Sequence, residues 1–111
     1  MQLSQLKCTV CCSGTPAVSY EDQLVLMQEI PAWEPIVVAG MQQLQRQYKF
    51  KNFNLALEFT NRLGALAELE DHHPAILTEW GSVTVNWWTH TINGLHHNDF
   101  IMAAKTDSLI A

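Results

Sequence analysis

The feature that most constrains the fold is a long amphipathic helical pattern in the middle of the chain, over about residues 53 to 70. Its apolar residues recur at steps of three, four and three, which places them on one helical face. These residues are Ala56, Phe59, Leu63 and Leu66. Asn52 is a suitable N-cap, and Pro74 bounds the segment because proline cannot continue a helix. The pattern predicts one long helix that packs through a single apolar face.

Two strand pairs flank this helix. Before it, residues 33–38 are apolar and partly β-branched, Gly40 marks a turn, and residues 42–50 carry a polar row. The polar row consists of Gln43, Gln45, Gln47 and Lys49. After the helix, strands are expected at about 75–80 and 82–90, with a turn at Gly81 between them. On the last strand, Val83, Val85 and Trp87 share one face, while Thr84, Asn86, Trp88 and His90 share the other.

Shorter helices close the pattern at both ends. Ser19 followed by Asp22 is a capping-box pattern for a helix that should stop at Ile30, before Pro31. Asp99 lies in the first turn of a last helix, and residues 1–18 are expected to form an irregular lead-in. The order α-β-β-α-β-β-α predicts an α+β fold in one domain, residues 1–111. Its single four-stranded antiparallel sheet should have helices packed on one face and leave the other face open.

Composition excludes several classes of protein. The chain is 48% hydrophobic and 15% charged, as is typical of a globular domain, and its net charge is −5. The six basic residues are scattered, which argues against a nucleic-acid surface. No apolar run approaches the ~20 residues that span a membrane, and the N-terminal residues lack the apolar core of a signal peptide. We therefore expect a cytoplasmic protein.

The three cysteines, Cys8, Cys11 and Cys12, do not form a disulfide framework, because an odd number is packed into five positions. They include a CxxC step, but a structural zinc site normally needs four ligands and no second CxxC exists. We expect reduced thiols that bind no metal.

Three histidines carry the candidate chemistry. His72 and His73 are adjacent at the end of the long helix, and Pro74 pushes His73 into an extended conformation. His90 is expected at the end of a strand, on the face of Trp88. Three imidazoles without an obvious nucleophile indicate proton transfer, because histidine can both donate and accept a proton near neutral pH. Glu68 and Asp71 could orient the imidazoles or bind N–H groups of a ligand.

Other interpretations of these histidines remain open at this point. A His-His pair is often a solvated helix terminus, where imidazolium suits the helix dipole. The five histidines, which include His96 and His97, could also suggest a zinc-dependent hydrolase. Adjacent histidines rarely both reach one metal ion, however, and a catalytic metal site also needs supporting partners for its ligands.

The same residues resemble a known family. Glu68, His72-His73-Pro74, Trp80, His90 and Asp99 are spaced as in the pterin-4a-carbinolamine dehydratases, and the resemblance covers about the last two-thirds of the chain. It implies a four-stranded antiparallel sheet, helices on one side, and homodimers or homotetramers. It also implies dehydration of 4a-hydroxytetrahydropterin to the quinonoid dihydropterin, which recycles the cofactor of aromatic amino-acid hydroxylases.

The resemblance further implies roles for individual residues. The catalytic histidines are His72, His73 and His90, the pterin-contacting residues are Glu68, Asp71 and Thr89, and no metal or cofactor is required. The position of Trp88 beside His90 adds this indole to the expected substrate-binding residues. We expect His72 and His90 to transfer protons, with the acid and the base not distinguished, and His73 to hold the pterin.

One position departs from the family pattern, and one other function stays open. His96 stands where many relatives have a threonine that caps the last helix, so a weaker cap is expected. Because some members of the fold act as dimerisation or assembly factors, a protein-binding module is the alternative function.

Overall fold

The computed structural model describes residues 2–8, 16–92 and 94–110. Its helices and strands follow the predicted order: α1 (Tyr20–Leu26), β1 (Glu34–Val38), β2 (Met41–Lys49), α2 (Phe53–Glu70), β3 (Ala75–Glu79), β4 (Ser82–Trp87) and α3 (His97–Ser108). Short 3₁₀ turns lie at Leu3–Gln5, Met27–Glu29 and His90–Ile92. Within the described ranges, no helix is both long and apolar enough to cross a membrane.

The four strands form one antiparallel sheet in the order β1-β2-β4-β3. In the central pair, Leu44 lies opposite Trp87 and Tyr48 opposite Val83, and all four side chains are buried. The apolar face of the sheet therefore faces the helices, as the period-two pattern predicts. This confirms the α+β fold.

The two longer helices are buried to different extents. On α2 only Ala56, Phe59, Leu63 and Ala67 are buried, and Leu66 is half-buried, so this helix packs through one face as expected. Helix α3 is buried on nearly all sides, and the indole of Trp87 donates to the hydroxyl of Thr106 in its last turns. Helix α3 is thus the centre of the helical layer.

The open face of the sheet carries a network of amide side chains. Gln45 donates to Asn86, Asn86 donates to Gln43, and Gln47 donates to Thr84 across β2 and β4. The predicted polar row is confirmed.

Asp107 ties the end of α3 to the first hairpin. Its Oδ1 accepts from the indole of Trp33, the guanidinium of Arg46 and the hydroxyl of Tyr48. The guanidinium of Arg46 also lies over the Tyr48 ring, 4.3 Å from the centroid. One carboxylate therefore joins three chain segments.

The N-terminal segment, expected as an irregular lead-in, is packed against the rest of the fold and contains one 3₁₀ turn at Leu3–Gln5. Leu3 is buried in a 3₁₀ turn, its N–H donates to Glu29, and Lys105 donates to the carbonyl of Ser4. The N–H of Cys8 donates to Glu70. The Cys8 thiol is free, while Cys11 and Cys12 lie outside the described residues.

The last strand is shorter than expected, because β4 ends at Trp87 and not near residue 90. Thr89 leaves the ladder and pairs with Gly94 in an isolated bridge, and His90 begins a 3₁₀ turn. The prediction that His90 ends a strand is therefore wrong. The Thr89 hydroxyl donates to the buried Asp99, which draws the chain out of the sheet at this point.

Candidate active site

The C-terminus of α2 positions the paired histidines. Asp71 caps the helix in the left-handed region, with φ of 52° and ψ of 41°, and the N–H of His72 bonds back to the carbonyl of Ala67. This turn stops the helix and directs His72 toward α3, and the chain runs on through Pro74 into β3. The predicted separation of His72 from His73 thus has a backbone cause.

His72 is held on two sides. Its Nε2 lies 2.7 Å from Oδ1 of Asp99, and its ring stacks on Trp87 with centroids 5.6 Å apart and planes 10° apart. Only 12% of its side chain is exposed. Because an ionised carboxylate can only accept a hydrogen bond, Nε2 carries the proton and the neutral ring has its lone pair on Nδ1. The sequence indicates neither contact.

Asp99 is the centre of this cluster and has no exposed surface. Its Oδ1 pairs with His72, while its Oδ2 accepts from the Thr89 hydroxyl at 2.8 Å and from the His96 N–H at 2.9 Å. The His96 contact satisfies a backbone N–H group at the start of α3. Sequence reasoning missed its role toward His72, because a helix-start carboxylate is so often only a cap.

His73 faces solvent. Its Nε2 lies 3.0 Å from Oε2 of Glu68, with 54% of the His73 side chain and 78% of the Glu68 side chain exposed. Asp71 is also exposed. The end of α2 therefore presents two carboxylates and one imidazole on the surface, next to the buried His72.

His90 lies against Trp88, with ring centroids 4.6 Å apart and planes inclined by 47°. His90 is exposed, whereas the indole Nε1 of Trp88 is buried and has no hydrogen-bond partner in the described part of the chain. A buried donor without a partner costs free energy, so this indole is an unusual feature of the cluster.

His96, where a weaker cap was expected, caps α3 with its side chain. Its imidazole Nδ1 accepts from the N–H of Asn98 at 3.0 Å. The backbone N–H of His96 donates to Asp99, which completes a capping box. Burial lowers the pKa of His96 below the ordinary 6.5. A neutral imidazole can supply the acceptor that serine or threonine supplies at other helix starts.

The structure connects these residues in three groups. Asp99 joins His72 and Thr89, Trp88 and His90 form a second pair, and Glu68 and His73 form a third. The groups are linked through the chain, since Trp88, Thr89 and His90 are consecutive, as are Asp71, His72 and His73. His72 is oriented and nearly buried, whereas His73 and His90 are exposed to solvent, a combination that suits paired proton transfers. Among residues 2–8, 16–92 and 94–110, no three His, Cys, Asp or Glu side chains are grouped to hold a metal ion.

Comparison with known proteins gives matches over most of the chain. The profile of the family described as pterin 4 alpha carbinolamine dehydratase matches residues 16–109. A protein of Syntrophotalea carbinolica, named "Putative pterin-4-alpha-carbinolamine dehydratase", is 55% identical over 109 residues, which cover 98% of this chain and 97% of that protein.

A solved structure has the same fold. It is the "transcriptional coactivator/pterin dehydratase" of Brucella melitensis, with a TM-score of 0.77 and 27% identity, and the match covers 86% of this chain and all of that one. The family match spans every strand and helix from α1 to α3 and contains all three candidate histidines. This chain therefore belongs to the pterin 4 alpha carbinolamine dehydratase family.

Proposed function

We propose that the protein dehydrates 4a-hydroxytetrahydropterin to the quinonoid dihydropterin and water, in the recycling of a tetrahydrobiopterin-type cofactor. The observation that carries this proposal is the buried Asp99 carboxylate, which fixes the nearly buried His72 imidazole. Membership in the family supports the substrate class.

The reaction requires that one proton be delivered to the substrate and one proton be removed from it. An acid protonates the 4a-hydroxyl, the C4a–O bond breaks, and water leaves. A base removes the N5 proton, and the electrons of the N–H bond form the C4a=N5 double bond. No net charge or electron is gained, so two imidazoles of opposite protonation state are sufficient.

His72 is suited to be the base and His90 the acid. Asp99 accepts from Nε2 of His72, which leaves the Nδ1 lone pair to take the N5 proton. His90 is exposed and can exchange protons with water, so it is placed to supply a proton to the leaving hydroxyl. The two rings can therefore take complementary roles, with His72 accepting a proton and His90 donating one.

The remaining site residues would bind the pterin. Glu68 and Asp71 are exposed carboxylates that can accept from its N–H groups, and His73 follows them in sequence as a further polar contact. Trp88 offers a flat surface beside His90. The Thr89 hydroxyl donates to Asp99, so we assign Thr89 to positioning that carboxylate at the rim of the site.

The direct test is a stopped-flow measurement of quinonoid dihydropterin formation from enzymatically generated carbinolamine. We expect the protein to raise the rate well above the spontaneous loss of water, in proportion to its concentration. A rate equal to the background, with folded protein, would contradict the proposed activity.

A second candidate function, a protein-binding module in a homodimer or homotetramer, has separate support. The Brucella relative carries "transcriptional coactivator" in its name, and large apolar side chains are exposed here at Leu69, Leu77 and Trp80. We expect light scattering at micromolar concentration to give the mass of a dimer or tetramer, and a monomer mass would remove this candidate. An aromatic amino-acid hydroxylase is the functional partner expected of the dehydratase.

A further inference from the structure

The cap of α3 contains an imidazole, a group whose ordinary pKa lies near neutral pH. The Nδ1 atom of His96 accepts from the N–H of Asn98 at 3.0 Å. A ring nitrogen accepts only when it carries no proton, so this bond exists only with neutral His96. The serine, threonine, asparagine and aspartate that usually cap helices stay acceptors throughout the range in which histidine changes charge.

The same residue holds Asp99 through its backbone. The His96 N–H donates to Oδ2 of Asp99 at 2.9 Å, while Oδ1 of that carboxylate lies 2.7 Å from Nε2 of His72. The side-chain cap and the backbone contact are the two halves of one capping box. Loss of the side-chain cap therefore loosens His96, whose backbone N–H makes the contact with Asp99.

We propose that His96 is a pH-sensitive positioning residue, whose neutral imidazole holds Asp99 against His72 and whose protonation releases both. Its action on dehydration rests on the proposed function, whereas its action on the stability of the helix start does not. His96 acts through Asp99 and need not touch the substrate.

The charges around His96 agree with this role. Burial is the largest influence and lowers its pKa, Asp99 opposes that effect, and the imidazoles of His97 and His72 add to the lowering. Asp99 and His97 face it from α3, and His72 faces it from the end of α2. The fold therefore favours the neutral, capping form.

The direction of the pH effect follows from this lowered pKa. At pH values above the unfolded-state pKa, about 6.5, His96 is neutral in both states and the cap is intact. As the pH falls below that value, the unfolded chain binds the proton more readily than the folded one, so folding stability is lost. The loss levels off once the pH is below the folded-state pKa.

The test compares wild type with His96→Asn and His96→Thr, two caps that do not titrate in this range, and with His97→Asn as the matched control. His97 is the exposed neighbouring histidine. We expect the ratio of wild-type kcat/KM to that of His96→Asn to be constant above pH ~7.5. It should fall by up to about ten-fold per pH unit in more acidic buffer, the limit for one proton. The His97→Asn profile should keep the wild-type fall in acidic buffer, displaced slightly to higher pH because one imidazole that lowers the His96 pKa is removed.

A readout on the wild-type protein does not depend on catalysis or on how the variants fold. In an NMR titration, the Asn98 amide should shift with a single midpoint below about 6.5, together with the His96 ring, and the neutral ring should carry its proton on Nε2. An Asn98 amide that does not respond to His96, or a ratio that stays flat to pH 5, would overturn the proposal. If the protein lacks dehydratase activity but still shows the coupled titration, the role of His96 at the helix start stands and only the proposed function is contradicted.

Discussion

His72 Nε2 and Asp99 Oδ1 lie 2.7 Å apart, where the C-terminus of α2 meets the N-terminus of α3. The carboxylate has no exposed surface and the imidazole is nearly buried. Two helices far apart in sequence are therefore joined by the same contact that orients the proposed base.

Replacing Asp99 with asparagine should lower both activity and stability. The amide of the Asp99→Asn variant keeps one oxygen and presents an NH₂ group at the other position, so it cannot accept from both His72 and the cap. With the NH₂ group toward His72, the imidazole loses its fixed tautomer. We expect the dehydration rate to fall by roughly ten-fold or more and the free energy of unfolding to fall by about 1–3 kcal/mol. Asp22→Asn, a change at an exposed first-turn carboxylate of α1, is the matched control. An Asp99→Asn enzyme with the wild-type rate would show that the contact does not serve catalysis.

The histidine variants should separate catalysis from binding. His72→Ala and His90→Ala should each lower the rate by roughly ten-fold or more, and the double variant should approach the spontaneous rate. His73→Ala should raise KM more than it lowers kcat, because binding shared by the substrate and the transition state affects KM. Steady-state kinetics after background subtraction measure these effects, with His97→Ala as control. A folded double variant of near-wild-type activity would leave the family resemblance as support for the fold alone.

Asp107 should matter for stability. Removing it in Asp107→Ala strands the donors of Trp33, Arg46 and Tyr48. We expect the free energy of unfolding to fall by about 2 kcal/mol. This is less than the sum for three hydrogen bonds because Arg46 and Asp107 are partly exposed. Glu58→Ala, at an exposed carboxylate of α2, should change the urea midpoint little. Equal midpoints for the two variants would contradict this role for Asp107.

Cys8 should be unreactive in the folded protein. Burial first, then the charges of Glu70 and Asp99, raise the pKa of its thiol to about 12, against a smaller opposing effect of Lys105. A Cys11→Ser/Cys12→Ser variant should therefore react slowly with a thiol reagent at pH 8 and rapidly once unfolded, because the thiolate is the nucleophile. Replacing all three cysteines with serine should leave the dehydration rate within a few-fold. Complete loss of activity in a folded triple variant would indicate a role for these cysteines in the reaction.

The sequence predicted the regular elements well because their signals are local. Asn52 and the apolar spacing placed α2 at the observed residues Phe53–Glu70, and alternation placed Val83, Val85 and Trp87 in the core. The alternation of side-chain faces was also extended past Trp87, so the predicted strand was longer than the observed β4. The Thr89–Asp99 hydrogen bond that ends the ladder joins residues ten positions apart, and no periodic pattern records it.

The candidate site was predicted as a set of residues and not as an arrangement. The spacing of the histidines identified them, but the pairing of His72 with Asp99 depends on how two helix ends meet. The cap by His96 was missed because histidine is not among the usual N-cap residues. The buried Leu3 was missed because one turn of 3₁₀ helix has too few residues to show a period.

The left-handed conformation of Asp71 has a consequence for which residue suits this position. Glycine adopts this conformation without the steric cost of roughly 1 kcal/mol that other residues pay, although aspartate tolerates it better than most. The backbone alone would thus favour glycine at this position. Backbone stability and the carboxylate proposed to contact the pterin thus make opposite demands on residue 71, and the chain has aspartate there.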